Sequence, residues 1–414
     1  MLFRSTRRTA FLSTLLVCLG FLFWIKFPYI IYDGRNLVSV KEAQTKYLLK
    51  SSIARNGDRN RLLSPQHLKK NPLTNGTRSR SSKYESSQNL VISPNAFEPE
   101  VNEDFQTIDS GNPIIPHIMH FIFITGINGK RGIPSIYKQN VLSFLHFNPN
   151  WTYYFWSDVS ARELIATRQP DLLSIYDNKP DVVFKANALR YVLLYEFGGV
   201  YVDLDIKCMR PLDRATMKYA CILTPEPFEH SAILYKMPYF FSNAVMLCRP
   251  KHPFFKQVIE SLPKTAKLKD RLEADGTMFF TKQYSLYNKI QPNETFKITS
   301  STESNSPYFY RGDSDHNDAT YVANTHYFMR SFDFGANSQF NRLCKRYSSI
   351  YNIVKRGCNL WNKRKLNKSR NSFSFTDHNW KHMYSIKRTT QMIPIQSVIP
   401  QIKQYNASSK MLDI

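Results

Sequence analysis

The chain has 414 residues and a formal net charge of +24, from 56 basic and 32 acidic side chains. Its length alone could hold two or three domains. The six cysteines form no C-x-x-C pair and no Cys/His spacing typical of zinc, so the sequence argues against a zinc-module class.

The beginning of the chain is typical of a membrane anchor. Three arginines within the first eight residues precede an apolar run at 10–25, which apolar and aromatic residues extend to residue 32. No small-residue cleavage site follows, and the positive start favours a cytoplasmic N-terminus. We predict a cytoplasmic tail at 1–9 and a transmembrane signal anchor at 10–32. The short run suits early secretory membranes, and the prediction is a single-pass type II protein of the Golgi membrane with the rest of the chain in the lumen.

Residues 33–112 are polar, rich in Ser, Asn, Lys and Arg, and interrupted by prolines, which predicts a disordered stem. A lumenal location is supported by five N-glycosylation sequons, which begin at Asn75, Asn150, Asn293, Asn367 and Asn406. Five cysteines would lie in the lumen, and an odd number leaves at least one thiol free or shared with another chain. The pairing stays open, as do a homo-oligomer and a disulfide-linked partner.

The most informative segment runs from Phe184 to Asp213. Apolar residues at helical spacing predict a helix that ends at Gly198 and Gly199, because glycine takes the left-handed cap conformation without a Cβ penalty. The chain then alternates, so Asp203 and Asp205 point to one side of a strand end. Carboxylates this close repel each other unless a cation lies between them, and oxygen ligands suit Mn²⁺ or Mg²⁺. Oxygens of a nucleotide diphosphate would complete such a site.

A bare Asp-x-Asp is more often an ordinary acidic strand end in solvent. Here the predicted helix, the Gly-Gly pair, the aromatic-rich strand and a turn at Pro211 make the two carboxylates part of a longer pattern. That context favours the metal and nucleotide interpretation.

These residues resemble the core of glycosyltransferase family 32, the DXD sugar-binding group. It includes yeast outer-chain α-1,6-mannosyltransferases and inositol phosphoceramide mannosyltransferases. The family pattern D-x-x-R-Y-x-x-L-x-x-x-G-G-x-Y-x-D-x-D is met here by Asn187, Arg190, Tyr191, Leu194, Gly198, Gly199, Tyr201, Asp203 and Asp205. Only Asn187 departs: it stands where the family has Asp, and it can hydrogen-bond a donor hydroxyl without carrying a charge.

Flanking segments extend the resemblance to about 114–332. The segment IPHIMHFIF at 115–123 is similar to the family's opening strand, with His120 in the matching place and Phe123 where a Trp near the nucleotide base is expected. Trp156 lies in a second similar segment, NPNWTYYFWSD. The resemblance implies donor contacts from seven residues: Asn187, Arg190, Tyr201, Asp203, His120, Phe123 and Trp156.

The resemblance also implies catalytic roles. Asp205 is expected to contact the metal, Asp203 to bridge metal and donor, and Arg190 to hold a sugar hydroxyl or phosphate unless it forms a structural ion pair. A C-terminal His is expected as third metal ligand; His326 is favoured and His378 is the rival. Four carboxylates could line the acceptor site or simply lie at the surface: Asp275, Glu273, Glu226 and Glu229.

The implied fold class is α/β. A GT-A-type nucleotide-sugar-binding domain with a mixed sheet is expected at 113–335, preceded by the anchor and the stem and followed by a basic extension at 336–414.

The implied activity is that of a retaining, metal-dependent hexosyltransferase, with mannose moving from GDP-mannose to a sphingolipid headgroup of the inositol phosphoceramide type. One alternative is α-1,4 transfer of galactose or N-acetylglucosamine from a UDP-sugar to a glycolipid or glycan. Another is an inactive lumenal sugar-binding protein.

The C-terminal extension carries much of the charge. Residues 341–414 contain fifteen Lys and Arg against two Asp. A lumenal location argues against nucleic acid as the partner. The extension is expected to attract anionic lipid headgroups or phosphorylated acceptors, or else to be a merely soluble basic segment.

Overall fold

The structure, a computed structural model, describes backbone strands at 30–33, 36–39, 91–92 and 309–310 and most of the chain between 104 and 409. The ranges there are 104–105, 107–125, 132–179, 182–237, 239–290, 317–366, 373–381 and 390–409. The chain divides into two compact units, Met1–Tyr84 and Glu85–Ile414. In the first unit, β1 (Ile30–Asp33) pairs antiparallel with β2 (Asn36–Ser39).

Among the described residues, no helix is both long and apolar enough to cross a membrane. The predicted tail at 1–9, most of the anchor at 10–32 and most of the stem at 33–112 lie outside the described residues. For those residues the three assignments stay predictions. At the end of the predicted stem the prediction of disorder is wrong, because Phe105 is fully buried in a core of the second unit and Asp104 forms an ion pair with Arg210.

A six-stranded mixed sheet lies at the centre of the second unit. Its strands are β4 (Ile118–Ile122), β6 (Thr152–Trp156), β7 (Gly199–Val202), β9 (Cys221–Pro225), β10 (Phe241–Cys248) and β12 (Tyr321–Val322), in the order β12-β9-β10-β7-β4-β6. The pairings make β10 antiparallel to both neighbours and the other pairs parallel. Five of these strands therefore run in one direction and β10 runs against them.

Shorter strands form two-stranded ribbons around this sheet. They are β3 (Val91–Ile92), β5 (Gly132–Pro134), β8 (Ile206–Cys208), β11 (Phe309–Tyr310), β13 (Thr376–His378) and β14 (Met392–Pro394). The pairs are β3 with β11, β8 with β13 and β5 with β14, all antiparallel. Two of these ribbons join the extension at 336–414 to strands of the predicted catalytic segment.

The described α-helices are α1 (Lys138–Phe147), α2 (Asp158–Arg168), α3 (Leu173–Asp177), α4 (Val182–Phe197), α5 (Asp213–Thr216), α6 (Pro253–Thr265), α7 (Arg271–Ala274), α8 (Thr277–Tyr287), α9 (Thr325–Phe328), α10 (Asn337–Tyr347) and α11 (Asn352–Leu366). A π-helical turn covers His230–Leu234. Helices α4, α6 and α8 pack on one face of the sheet, and α1 and α9 on the other. This arrangement confirms the predicted mixed α/β class.

After the Gly-Gly pair, successive side chains alternate between the two hydrophobic cores, as the sequence predicted. Val200 and Val202 pack in the core beneath α1, and Tyr201 packs in the core beneath α4. Helix α4 is buried on nearly all sides rather than amphipathic, because the sheet and α6 enclose it and Tyr191 stacks on Phe280 of α8. Its residues are therefore held rigidly beside the strand that ends at Asp203.

The Gly-Gly pair ends α4 as predicted, and both glycines have positive φ, 65° for Gly198 and 91° for Gly199. A Cβ on Gly199 would lie 2.4 Å from the carbonyl oxygen of Ile118, on the neighbouring strand β4. The backbone of β7 thus approaches β4 at a distance that only glycine permits.

Gly199→Ala is expected to lower the free energy of unfolding by about 3 kcal/mol, since it adds a backbone clash to left-handed strain. Chemical denaturation measures this. Gly111→Ala is the matched control: Gly111 also has positive φ, 109°, but a Cβ there meets nothing within 4 Å. Equal losses in the two variants would contradict the close-approach argument.

Candidate active site

Several polar side chains meet at one edge of the central sheet. Asp203 follows the carboxyl end of β7, Phe123 that of β4 and Glu226 that of β9. Because β10 is antiparallel, Asn243 near its start reaches the same edge. Crevices at the carboxyl ends of parallel strands are the usual ligand sites of open α/β sheets.

A cavity of about 720 Å³ lies at this edge. Its lining includes Phe123, Tyr137, Asn187, Arg190, Tyr201, Asp203, Asp205, Glu226, His230, Asn243, Arg271, Thr277, Gln339, His378, Trp380 and Lys381. Small-molecule and cofactor sites typically occupy about 300–1,000 Å³, so the cavity suits a ligand of nucleotide size.

Three metal-ligating side chains converge in the cavity: Asp203, Asp205 and His378, whose ligand atoms all lie within 4.8 Å of one another. The side chain of Asp203 is 31% exposed, whereas those of Asp205 and His378 are nearly buried. His378 Nε2 lies 3.1 Å from Asp205 Oδ1. The β8–β13 ribbon sets this contact, because His378 is opposite Ile206 and the Asn379 amide donates to the Asp205 carbonyl oxygen.

The charges of this cluster shift two pKa values. Burial raises the pKa of the Asp203 carboxyl, Arg190 opposes the shift, and the neighbouring Asp205 adds to it. Burial alone would lower the pKa of His378, but the hydrogen bond and charge of Asp205 outweigh this and raise it above the ordinary value. The site therefore favours a positive charge between its carboxylates.

The donor set fits a divalent cation. Two carboxylates and one imidazole supply oxygen and nitrogen ligands without sulfur, a set that suits Mn²⁺ and Mg²⁺ with further oxygens from a ligand. Asp203, Asp205 and His378 would hold the ion, on the open side that faces the cavity.

Arg190 links the helix to the carboxylates. Its Nη1 lies 3.4 Å from Asp203 Oδ1 and donates to the Asn243 carbonyl oxygen at 2.7 Å. Its guanidinium also lies 4.7 Å from the ring centre of Tyr201, whose hydroxyl donates to Asp203. The ion pair that the sequence left open as an alternative role is therefore formed, while Arg190 still lines the cavity.

Asn187 is held by a buried ion pair behind it. Its Nδ2 donates to Asp275 Oδ1 at 3.1 Å, and Asp275 forms an ion pair with Lys179. The Lys179 and Asp275 side chains are 3% and 0% exposed. Asp275 thus positions Asn187. It does not line the cavity, so its predicted place at the acceptor site is wrong.

Lys179→Met is expected to lower the free energy of unfolding by about 3–5 kcal/mol, because it leaves the Asp275 carboxylate buried and unpaired. Burial already raises the pKa of Asp275 against the opposing charge of Lys179. A raised carboxyl pKa means that protonation favours the folded state, so the loss should shrink as the pH falls. Denaturation at neutral and acid pH measures this, with Arg162→Gln at the exposed Arg162–Asp177 pair as control. The control should lose under about 0.5 kcal/mol of unfolding free energy. A similarly small loss in Lys179→Met would refute the argument from the buried ion pair.

Two predicted donor contacts lie outside the cavity. His120 and Trp156 are fully buried, and the Trp156 indole donates to His120 Nδ1 at 3.2 Å. His120 Nε2 donates to the Gly198 carbonyl oxygen at 2.9 Å. Burial lowers the pKa of His120 to about 4, so it is a neutral structural residue. The pair ties β4 and β6 to the end of α4. Phe123, by contrast, lines the cavity, and its contact with the donor stays a prediction.

The structure places His378, and not His326, beside the two carboxylates. His326 lies buried in α9, where its amide donates to Asn324 Oδ1, and it does not line the cavity. The favoured ligand prediction is therefore corrected to the rival one. The family resemblance favoured His326, but α9 is hydrogen-bonded to the segment that leads into β13: the Phe375 amide donates to the Tyr327 carbonyl oxygen and Ser374 Oγ donates to that of His326.

The other three carboxylates predicted for the acceptor site lie in different environments. Glu226 lines the cavity and lies 3.1 Å from His230. Glu229 is fully buried and pairs with Arg364, a structural role, and Glu273 does not line the cavity.

Several cavity residues were not predicted. Tyr137, Trp380 and Lys381 meet where the extension closes over the site, and the Tyr137 hydroxyl donates to the Lys381 carbonyl oxygen at 2.7 Å. The clustering of aromatic and charged residues around His378 in the sequence is the pattern that could have indicated these cavity residues.

Two carboxylates, an imidazole and an arginine beside a nucleotide-sized cavity define a DXD-type site. Residues 134–222, which contain both carboxylates, match the model of the family described as a glycosyltransferase sugar-binding region containing a DXD motif. This match confirms the family resemblance drawn from the sequence.

The chain is similar to three curated fungal proteins. It is 32% identical to inositol phosphoceramide mannosyltransferase 2 of Schizosaccharomyces pombe, over 38% of this chain and 41% of that protein. It is 36% identical to inositol phosphoceramide mannosyltransferase 3 of the same organism, over 37% and 38%. It is 32% identical to a mannosyl phosphorylinositol ceramide synthase of Saccharomyces cerevisiae, over 50% and 53%. The chain thus spans about half or less of the length of these three relatives.

Among solved structures, the chain is similar to a PaToxG glycosyltransferase, with 17% identity and a TM-score of 0.33 over 45% of this chain and 73% of that one. A TM-score of this size carries no conclusion about fold or function.

Proposed function

We propose that the protein is a retaining, metal-dependent glycosyltransferase that moves mannose from GDP-mannose to the headgroup of an inositol phosphoceramide-like sphingolipid. The observation that carries the proposal is the Asp203–Asp205–His378 cluster at the edge of the cavity. The names of the three fungal relatives support the choice of donor sugar and acceptor.

Glycosyl transfer requires stabilisation of the leaving diphosphate, orientation of the sugar and placement of the acceptor hydroxyl. A divalent cation, Mn²⁺ or Mg²⁺, would supply charge stabilisation for the leaving group. Arg190 and Asn187, one turn apart on α4, both line the cavity and would orient donor hydroxyls or phosphate.

In the proposed step, the bond from the anomeric carbon to the diphosphate oxygen breaks and a bond to the acceptor oxygen forms on the same face. The acceptor's proton passes to the leaving phosphate. This course needs no protein nucleophile. Attack by a protein carboxylate is disfavoured because these carboxylates are already engaged. Arg190 and Tyr201 hold Asp203, and Glu226 lies beside His230.

We further propose that the second unit has a GT-A-type fold. Its mixed sheet with a ligand cavity at the carboxyl ends of parallel strands supports this. The Golgi location and the type II anchor are proposed from the basic start and apolar run at 1–32.

The test uses the full chain in detergent with Mn²⁺ and measures nucleotide release from GDP-mannose, UDP-galactose, UDP-glucose and UDP-N-acetylglucosamine, with and without inositol phosphoceramide. Acceptor-stimulated release from GDP-mannose, lost with EDTA, is expected. Selective release from a UDP-sugar would instead support the α-1,4 transferase. Metal-dependent donor binding without release would support the inactive sugar-binding protein.

A further inference from the structure

Helices α10 and α11 carry a charge imbalance that the proposed reaction does not use. Residues 334–366, which contain both helices, include eight Lys and Arg and no Asp or Glu. A disulfide between Cys344 and Cys358 joins the two helices. The excess of positive charge therefore lies on two helices that a disulfide holds together.

Helix α10 separates its apolar and basic residues onto opposite faces. Phe340 and Leu343 are buried against the protein. On the outer face Ser338, Asn341, Arg342, Lys345 and Arg346 line one shallow depression. We call Arg342, Lys345 and Arg346 the basic face; all three are exposed, and no carboxylate in the described part of the chain lies within ion-pair distance of them.

The basic face lies on the same helix as part of the cavity wall. Ala336 and Gln339, at the start of α10, line the cavity. Two large apolar side chains are exposed at the ends of the helix, Phe334 (51%) just before it and Ile350 (64%) just after it. The basic face, part of the cavity wall and two exposed apolar side chains therefore all lie on α10 or within three residues of its ends.

We propose that the basic face docks on a membrane surface that carries anionic phospholipid headgroups. Exposed lysines and arginines beside exposed apolar side chains are what an interfacial helix presents to such a surface. Docking there would bring α10, and with it part of the cavity wall, to the level of lipid headgroups, where a lipid acceptor is found. In that respect the inference rests on the proposed function, while the docking itself is independent of turnover.

The first test is lysine footprinting of the full chain in vesicles, with an amine-acylating reagent and mass spectrometry. Lys345 is compared with Lys264, Lys267 and Lys269, which are exposed and lie in or just after α6, away from the basic face. Vesicles of phosphatidylcholine alone are compared with vesicles that also contain phosphatidylserine. Acylation of Lys345 relative to the three control lysines is expected to fall about threefold or more with phosphatidylserine, and to recover at about 1 M salt.

Three results would overturn the proposal: unchanged acylation of Lys345, an equal fall at the control lysines, or the same protection by inorganic phosphate without anionic vesicles. None of them depends on catalysis. Failure of the proposed function would appear instead as absence of nucleotide release from every donor, with the footprint intact.

The second test compares the triple variant Arg342→Gln/Lys345→Gln/Arg346→Gln with the control Lys264→Gln/Lys267→Gln/Lys269→Gln. Transfer to inositol phosphoceramide embedded in anionic vesicles should fall about tenfold in the first variant only. Nucleotide release without acceptor should stay unchanged in both. Equal transfer by the two variants, or a parallel fall of nucleotide release in the first, would count against docking.

Discussion

Asp205→Asn is expected to lower the rate of sugar transfer about a thousandfold, because it removes the buried carboxylate that both His378 and a divalent cation require. Asn keeps the shape of Asp, so the fold should persist. Asp203→Asn should cost about tenfold to a hundredfold, since Asp203 is more exposed and Tyr201 and Arg190 can still hold an amide there. The measurement is transfer rate at saturating Mn²⁺, beside Mn²⁺-dependent binding of GDP-mannose.

Asp177→Asn is the matched control for both variants. Asp177 pairs with Arg162 on the surface, so this change should leave transfer and donor binding as in the wild type. If Asp205→Asn retained transfer within a few fold of the control, the carboxylate cluster would not be the catalytic centre.

The parts of the site that the sequence predicted are those fixed by local structure. Helix α4, its Gly-Gly end and the strand that follows are contiguous, and their spacing places Asn187, Arg190 and Asp203 without knowledge of the rest of the fold. Because glycine geometry and strand alternation act over a few residues, the pattern could be converted directly into geometry.

The parts that it did not predict depend on contacts between distant segments. His378 reaches Asp205 only because β13 pairs with β8, a register that no spacing in the chain encodes. The family resemblance assigned His120 and Trp156 to donor contacts, yet in the core Trp156 donates to His120 and His120 donates to the carbonyl oxygen of Gly198. Asp275 likewise serves Lys179 and Asn187 rather than an acceptor. Whether a polar residue faces the cavity or the core was decided by tertiary packing.

His378→Ala and His326→Ala give the second large effect, because they separate the two candidate ligands. His378→Ala should weaken Mn²⁺ binding about a hundredfold at neutral pH and reduce transfer accordingly, since one of three protein ligands is lost. His326→Ala should leave Mn²⁺ affinity unchanged and lower only stability, because His326 is buried in α9 away from the cavity. Calorimetric titration of Mn²⁺ and chemical denaturation measure the two quantities.

The pH dependence provides an independent signature of His378. Because its pKa is raised above the ordinary 6.5, protons should compete with Mn²⁺ as the pH falls through that raised value, and wild-type affinity should weaken. In the metal-free protein the sign is opposite. Protonated His378 beside Asp205 stabilises the fold fully below pH 6.5, and this contribution is lost as the pH rises through the raised folded-state pKa. His378→Ala should flatten both profiles together, whereas a variant that flattened only the stability profile would mean that His378 pairs with Asp205 but does not ligate the ion.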